Sequence, residues 1–183
     1  MKKFTLIAVL WLLAGMLGWI GFEYRASKQG RLVQFAIEGY DPRDLLSGHY
    51  VIYRVNYGQQ ELCKQGNTNY FAAQGLSRCM CLQINNGTGL ARFKSERQCD
   101  DNSAPNCDLW IRGSCTYSGE FEAGIERYYI PEEYAPFLAT IPENSRILVR
   151  VNSYGSARVQ DLTVNGRGLA EFVSEQRNKK SEQ

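Results

Sequence analysis

An uncharged run from Phe4 to Phe22 opens the chain, set behind Lys2 and Lys3. Its nineteen residues, at about 1.5 Å each in a helix, span roughly 28 Å, close to the hydrocarbon thickness of a bilayer. A cleaved signal peptide has a shorter apolar core and small residues at −3 and −1 of its cut site. Here a cut after Gly21 puts Trp19 at −3, and a cut after Ser27 puts Arg25 there. The pattern therefore predicts an uncleaved signal-anchor over 4–22, a cytoplasmic tip at 1–3 and a charged linker at 23–31. No cysteine stands at the end of the run to accept a lipid. Gly15, Gly18 and Gly21 recur every three residues, and Ala14 with Gly18 makes a small-xxx-small pair. Such a stripe either admits a second helix or reflects the ordinary glycine content of membrane helices.

Beyond the linker the period changes to two. Val33, Phe35 and Ile37 alternate in "RLVQFAIEGY", and Val51, Tyr53, Val55 and Tyr57 alternate after His49, so both stretches read as strands. Between them, Asp41 suits an N-cap, Pro42 suits the first helical position, "RDLLS" supplies about one turn, and Gly48 suits the left-handed stop. Residues 58–78 and the stretch "SERQCDDNSAPNC" read as polar loops. "CMCLQI-NNGTG-LARFK" reads as a hairpin, its Asn-Gly suited to a tight turn with positive φ. "DLWIRGSCTY" and "AGIERYYI" read as strands, and "PEEYAPFLA" as a short helix begun by Pro131 and two acids. "SRILVRVNSYGSARVQDLTVNG" is a second hairpin turning near Tyr154-Gly155. The charged end 173–183 reads as a disordered tail. The expected class is mostly β with a minor α+β character: one membrane helix, then one β-rich domain over 32–172 with two short helices and a Cys-rich elaboration at 63–115.

Composition narrows the compartment and the partners. The formal charge of +2 comes from Lys2 and Lys3, and the rest of the chain balances nineteen basic against nineteen acidic residues. That balance supplies no one-signed footprint for nucleic acid. All six cysteines (Cys63, Cys79, Cys81, Cys99, Cys107 and Cys115) follow the apolar run, and an even set in one segment points to disulfides in an oxidising compartment. Lys2 and Lys3 before the helix and Arg25, Lys28 and Arg31 after it leave the positive-inside rule without a decision, so the cysteines decide orientation. The expectation is a bacterial inner-membrane, single-pass protein with its N-terminus cytoplasmic and its C-terminal domain periplasmic.

Candidate chemistry is sparse. Ser47 beside a Gly-led strand, behind an apolar anchor, is faintly similar to a signal-peptidase-type serine peptidase with its Ser–Lys pair. A base must lie within reach of the hydroxyl, however, and Lys64 and Lys94 sit in polar surroundings that do not lower a lysine pKa. Ser47 is read instead as the last residue of a helical turn. Cys79 and Cys81 share one face of a strand, which suits two staples better than a thiol-redox pair of the C-x-x-C kind at a helix start. Six cysteines allow fifteen pairings, of which Cys99–Cys107, closing the polar loop, is the favoured one. His49 stands alone and the cysteine spacings match no zinc knuckle, so no metal is expected. Glu120, Glu122 and Glu126 read as one solvated strand face. No phosphate loop or nucleotide fingerprint is present. We expect no catalytic residue and no cofactor, and the sequence names no small-molecule ligand.

Three segments carry a resemblance: "DPRDLLSGHY" at 41–50, "RYYIPEEYA" at 127–135, and "RILVRVNSYGSARVQDLTVNG" at 146–166. Together they resemble the GDYXXLXY-domain family, bacterial membrane-anchored proteins of uncharacterised function. The resemblance marks Asp41, Pro42, Arg43, Asp44, Gly48, Tyr50, Pro131 and Glu132 as residues of a structural motif. Relative to the naming motif, Gly48 and Tyr50 are kept, while His49 replaces Asp, Tyr53 replaces Leu and Val55 replaces Tyr. The Cys63–Cys115 stretch shows no feature of the family. The resemblance implies a membrane-anchored, non-enzymatic binding or accessory subunit whose partner is a multi-pass membrane protein.

Overall fold

The computed structural model describes residues 2–39, 50–58, 63, 77–97, 99, 107–116, 118–138 and 141–181. The expected corner of Asp41, Pro42, Arg43, Asp44 and Gly48 lies outside the described residues, as do Ser47, His49 and Lys64. The chain divides into two compact units, Met1–Gly30 and Arg31–Gln183.

The first unit is one helix, α1 (Lys2–Lys28). Its exposed side chains include Leu10, Trp11, Leu12, Leu13, Met16, Leu17, Trp19 and Ile20. Consecutive positions such as 10–13 point in every direction around a helix, so no polar face balances an apolar one. Among the described residues no helix is long and apolar enough to cross a membrane; the span expected over 4–22 rests on the amino-acid sequence. The linker expected at 23–31 is mostly helical, because nothing from Glu23 to Lys28 breaks the helix. The chain turns only at Gly30, where φ is 122°.

The second unit is mostly β, built of two antiparallel sheets. The larger has the order β10-β9-β8-β1-β2-β7. Its strands are β1 (Arg31–Gly39), β2 (Tyr50–Asn56), β7 (Arg127–Tyr129), β8 (Arg146–Val151), β9 (Ala157–Val164) and β10 (Arg167–Gly168). The smaller has the order β4-β3-β5-β6, from β3 (Arg78–Ile84), β4 (Ala91–Arg97), β5 (Leu109–Cys115) and β6 (Phe121–Glu122). In the larger sheet the expected alternation holds. Val33, Phe35, Ile37, Val51, Tyr53, Ile147, Val149 and Val151 are buried, and the residues between them are half-buried or exposed. Met80, Leu82, Ile84 and Ile111 of the smaller sheet join the same core. The sheets meet where Gln34 N donates to Gly89 O (2.9 Å) and Phe93 N donates to Tyr57 O (2.7 Å).

Three expectations need correction. The "NNGTG" turn is wider than an Asn-Gly pair: Asn85 Oδ1 accepts from Gly87 N and Thr88 N, and the positive φ falls on Gly89. The strand expected over "AGIERYYI" shrinks to β7, since Ala123–Glu126 forms a turn closed by Ala123 N donating to Glu126 Oε1 (2.7 Å). The tail expected to be disordered is a helix, α2 (Leu169–Ser181). Leu169, Phe172 and Val173 recur at helical spacing, and Leu169 and Val173 are buried, so core contact outweighs the charge of the residues that follow. Of the two short helices expected, the "PEEYAPFLA" segment forms a 3-10 turn, Glu132–Phe137.

Candidate functional site

The pairing of β2 with β7 brings together two of the three motif segments. Tyr50 lies opposite Tyr129, Val51 opposite Tyr128 and Ile52 opposite Arg127. β2 follows the 41–49 corner in sequence, and β7 leads into Ile130 and Pro131. The Tyr50 and Tyr129 rings meet edge to face, 6.0 Å between centroids, and the Arg127 guanidinium lies 6.0 Å from the Tyr50 ring. Tyr129 is 70% exposed. Among the described residues β7 is an edge strand, so two tyrosines and an arginine stand together at that margin of the sheet. Tyrosine and arginine are enriched at protein recognition surfaces, where a large contact area comes with polar tips.

Pro131 sits at the entrance of the 3-10 turn, with Tyr134 N donating to its carbonyl (2.9 Å). Glu132 is exposed in the first turn. Helix α2 holds this turn from outside: Arg177 pairs with Glu133 (3.1 Å) and lies over the Tyr134 and Phe137 rings. The third motif segment becomes the β8–β9 hairpin, which pairs with β1 on the side away from β2. The hairpin's turn is shaped by Asn152, whose Oδ1 accepts from Tyr154 N and Ser156 N, both at 3.0 Å.

Beneath the β2–β7 edge lies a polar knot in the core. Glu126 Oε1 accepts from Tyr57 Oη (3.0 Å) as well as from Ala123 N. The Tyr57 ring is held edge to face between Phe35 and Phe121, each at 5.4 Å. Burial, then the neighbouring Glu126 carboxylate, pushes the Tyr57 hydroxyl well above the usual phenol range. Tyr53 is driven the same way by burial and by Glu126, and its hydroxyl has no hydrogen-bond partner among the described residues. Glu122 is raised by desolvation and by the nearby carboxylates of Glu126 and Glu120. The reading of Glu120, Glu122 and Glu126 as one solvated face therefore fails for Glu126, which a turn folds back onto Tyr57. Both phenols are kept protonated, a state suited to holding structure rather than to attacking a substrate.

The cysteines are stapled around the smaller sheet: Cys79–Cys99, Cys81–Cys107 and Cys63–Cys115, with Cα separations of 5.1, 5.5 and 5.6 Å. The favoured Cys99–Cys107 pair is not formed, for a topological reason. β4 and β5 flank β3 on opposite sides, so the chain leaving β4 and the chain entering β5 are each fastened to the strand between them. Cys79 and Cys81 lie on the face of β3 opposite Met80 and Leu82, which explains why four consecutive β3 residues are buried. They bond to different partners and not to each other. Among the described residues no group of three or more His, Cys, Asp or Glu side chains is placed to hold a metal ion.

One contact escaped the sequence reading. The Trp110 ring on β5 lies under the Arg97 guanidinium (4.9 Å) and near that of Arg112 (5.9 Å). Gly155 at the tip of the β8–β9 hairpin packs on that ring, and Arg112 N donates to Gly155 O (2.8 Å). With φ at +73°, and with no room for a β-carbon against the ring, the position suits glycine alone. The turn was legible in the sequence, but its docking on a distant tryptophan carried no local signal.

No curated relative and no solved structure matches the chain. A family described as the GDYXXLXY protein matches residues 12–162, a range that takes in the Cys-rich stretch and ends within β9. With most of its length matched, both motif segments meeting at the β2–β7 edge and the third forming the β8–β9 hairpin, the chain belongs to the GDYXXLXY family.

Proposed function

We propose that this chain is a single-pass inner-membrane protein whose α1 tethers an oxidised, periplasmic β domain, and that the domain is a non-enzymatic binding or accessory subunit of a multi-pass membrane partner. The observation that carries the reading is the sequence of two unlike parts. A helix apolar on all sides, uncharged from Phe4 to Phe22, is followed by a domain whose six cysteines all pair in disulfides. A helix without a polar face is at home in lipid, and disulfides persist outside the cytosol. Half-buried Tyr50 with exposed Tyr129 and Arg127 is the surface offered to the partner.

The test is purification of the full chain from membranes in mild detergent. The expected result is co-purification of a multi-pass protein, lost when α1 is exchanged for an unrelated span. Tyr129→Ser with Arg127→Glu should reduce the co-purified amount at least tenfold while leaving the melting temperature of the domain within about 2 °C, since both side chains are exposed. Recovery of the chain in the alkaline-carbonate supernatant, with six reduced thiols, would sink the reading.

A further inference from the structure

The cysteines run Cys63, Cys79, Cys81, Cys99, Cys107, Cys115 along the chain, and no disulfide joins two that are neighbours in that order. Cys81 lies inside the Cys79–Cys99 loop and Cys99 inside the Cys81–Cys107 loop, so these two bonds interlace, and Cys63–Cys115 encloses both. The native closures span 20, 26 and 52 residues. Cys99 and Cys107 stand only eight residues apart, as do Cys107 and Cys115. The chance that a flexible chain closes a loop falls as about the 3/2 power of its length. An eight-residue closure is therefore favoured about fourfold, sixfold and seventeenfold over the three native ones.

Only the paired strands reverse that preference. Cys79 lies opposite Arg97 of β4, and Cys81 lies opposite Trp110 of β5. Cys99 thus meets Cys79 when β4 is docked on β3, and Cys107 meets Cys81 when β5 is docked on the other side. A two-stranded hairpin alone is marginal in water, so β3 and β4 do not hold the first pair together until β5 has joined. A Cys99–Cys107 bond made before then removes the partners of both Cys79 and Cys81. Thiol exchange also needs access to a sulfur. In each native bond one residue is buried (Cys63, Cys79 or Cys81) and the other is half-buried, so the finished domain shields bonds that the open chain leaves exposed to attack.

We infer that this chain is a substrate of a thiol–disulfide isomerase, a partner that offers a low-pKa thiolate in the compartment where the cysteines are oxidised. The inference rests on the reading above that the domain matures outside the cytosol. In a chain carrying Cys99–Cys107 and Cys79–Cys81, the isomerase thiolate attacks Cys99 Sγ. The Cys99–Cys107 bond breaks, a mixed disulfide forms on Cys99, and Cys107 leaves as a thiolate. Cys107 attacks Cys81 Sγ, making Cys81–Cys107 and releasing the Cys79 thiolate. Cys79 then attacks Cys99 Sγ of the mixed disulfide, making Cys79–Cys99 and expelling the isomerase thiolate. Two disulfides enter and two leave, so the exchange consumes no oxidant. Burial of Cys79 and Cys81 on β3 then withdraws the product from further attack.

The full chain is reduced in urea and diluted into dodecyl maltoside micelles with a mixture of reduced and oxidised glutathione, with or without protein disulfide isomerase. Bonds are mapped over time by non-reducing proteolysis and mass spectrometry. Without the isomerase, Cys99–Cys107 should at first outnumber Cys81–Cys107 by about sixfold. With it, the eight-residue bonds should be cleared and the three native bonds should appear about tenfold sooner or more. No variant is needed, so a misfolded variant cannot decide the outcome. Native bonds that form first, or equally fast in both mixtures, overturn the inference and leave the anchor reading standing. Misbonded chains that the isomerase leaves unresolved overturn it too. Six free thiols in the chain taken directly from cells overturn the compartment reading and this inference with it.

Discussion

The two sheets of the β domain are held by different means. The larger one draws its core from strict alternation: Val33, Phe35, Ile37, Val51, Tyr53, Ile147, Val149, Val151, Leu162 and Val164 are all buried, and no cysteine lies in its strands. The smaller one buries Met80, Leu82, Ile84, Ala91 and Ile111, and leaves most of β4 exposed. All three disulfides attach to it. Where apolar area on a sheet is small, covalent links that limit the unfolded chain stand in for burial. Tyr50, Arg127–Tyr129 and the β8–β9 hairpin of the family motif segments lie on the sheet that burial holds, and the staples lie on the one it holds weakly.

The strongest way to break this comparison is to remove the staples. Cys63–Cys115 spans 52 residues in sequence, Cys81–Cys107 spans 26 and Cys79–Cys99 spans 20. Loop-closure entropy for these lengths predicts losses of about 4, about 3.5 and about 3.3 kcal/mol for the respective paired Cys→Ala variants. Urea unfolding of each variant measures the loss. Hydrogen exchange should quicken in β3–β5 before it quickens in β1 and β8. Losses below about 1 kcal/mol throughout would mean that the smaller sheet is held by burial after all.

The next largest effect concerns the joint between the sheets. Gly155→Val forces a β-branched residue into positive φ and drives its side chain into the Trp110 ring. The two costs together come to about 3 kcal/mol. Thermal melts check the total, and loss of protection at the Arg112 amide checks its place. An unchanged melting temperature would show that the hairpin tip and β5 do not need each other.

How much of this was legible follows from the range of each signal. β1, β2 and β8 alternate buried with half-buried or exposed residues, so the periodicity of a single strand announces them. β9 instead changes phase at a bulge opposite Leu148–Val149 and buries only Leu162 and Val164. The 3-10 turn after Pro131 and the turn at Tyr154-Gly155 were also local. The disulfide pairing was not, because it depends on β3 lying between β4 and β5, an order set by the whole sheet. Glu126 was missed for a similar reason: in "AGIER" it reads as a strand residue, and only the distant hydroxyl of Tyr57 explains why the chain turns there. The last helix did show Leu169, Phe172 and Val173 at helical spacing, and the charge of the following residues masked it. His49, Gly48 and the Asp41–Pro42 start of the corner lie outside the described residues, so the motif is traced here from Tyr50 onward.

The polar knot under the larger sheet gives a pH-dependent prediction. In the folded chain, burial and Glu126 hold the hydroxyls of Tyr53 and Tyr57 above the ordinary phenol value of 10.0. Above pH 10 the unfolded chain therefore loses protons that the folded chain keeps. The unfolded state then binds fewer protons, and stability falls as pH rises. Each tyrosine adds a slope of about 1.4 kcal/mol per pH unit in that window, and none below it. A tyrosinate absorbance titration should show Tyr53 and Tyr57 ionising only as the domain unfolds. Smooth ionisation of every tyrosine in the folded state would place both rings in water.

The smallest effect is also the sharpest, because one chemical change should act with opposite sign at two positions on β2 and just beyond it. Tyr53 stands where the family motif has leucine, and its ring is 1% exposed with a hydroxyl that finds no partner among the described residues. A buried hydroxyl left unpaired costs roughly 1–3 kcal/mol, partly offset by whatever dispersion its oxygen gains. Tyr53→Phe keeps the ring and removes the hydroxyl, so it should stabilise the domain by about 1 kcal/mol. Tyr57→Phe removes the same atom from a hydroxyl that donates to Glu126, and should cost about 1 kcal/mol. The double variant should then melt close to the parent. Tyr53→Leu restores the motif residue but leaves the volume of a ring unfilled, so it should fall below Tyr53→Phe in stability. If Tyr53→Phe instead destabilises as Tyr57→Phe does, the Tyr53 hydroxyl has a partner. The replacement of leucine by tyrosine would then be a new polar tie in a sheet otherwise held by burial.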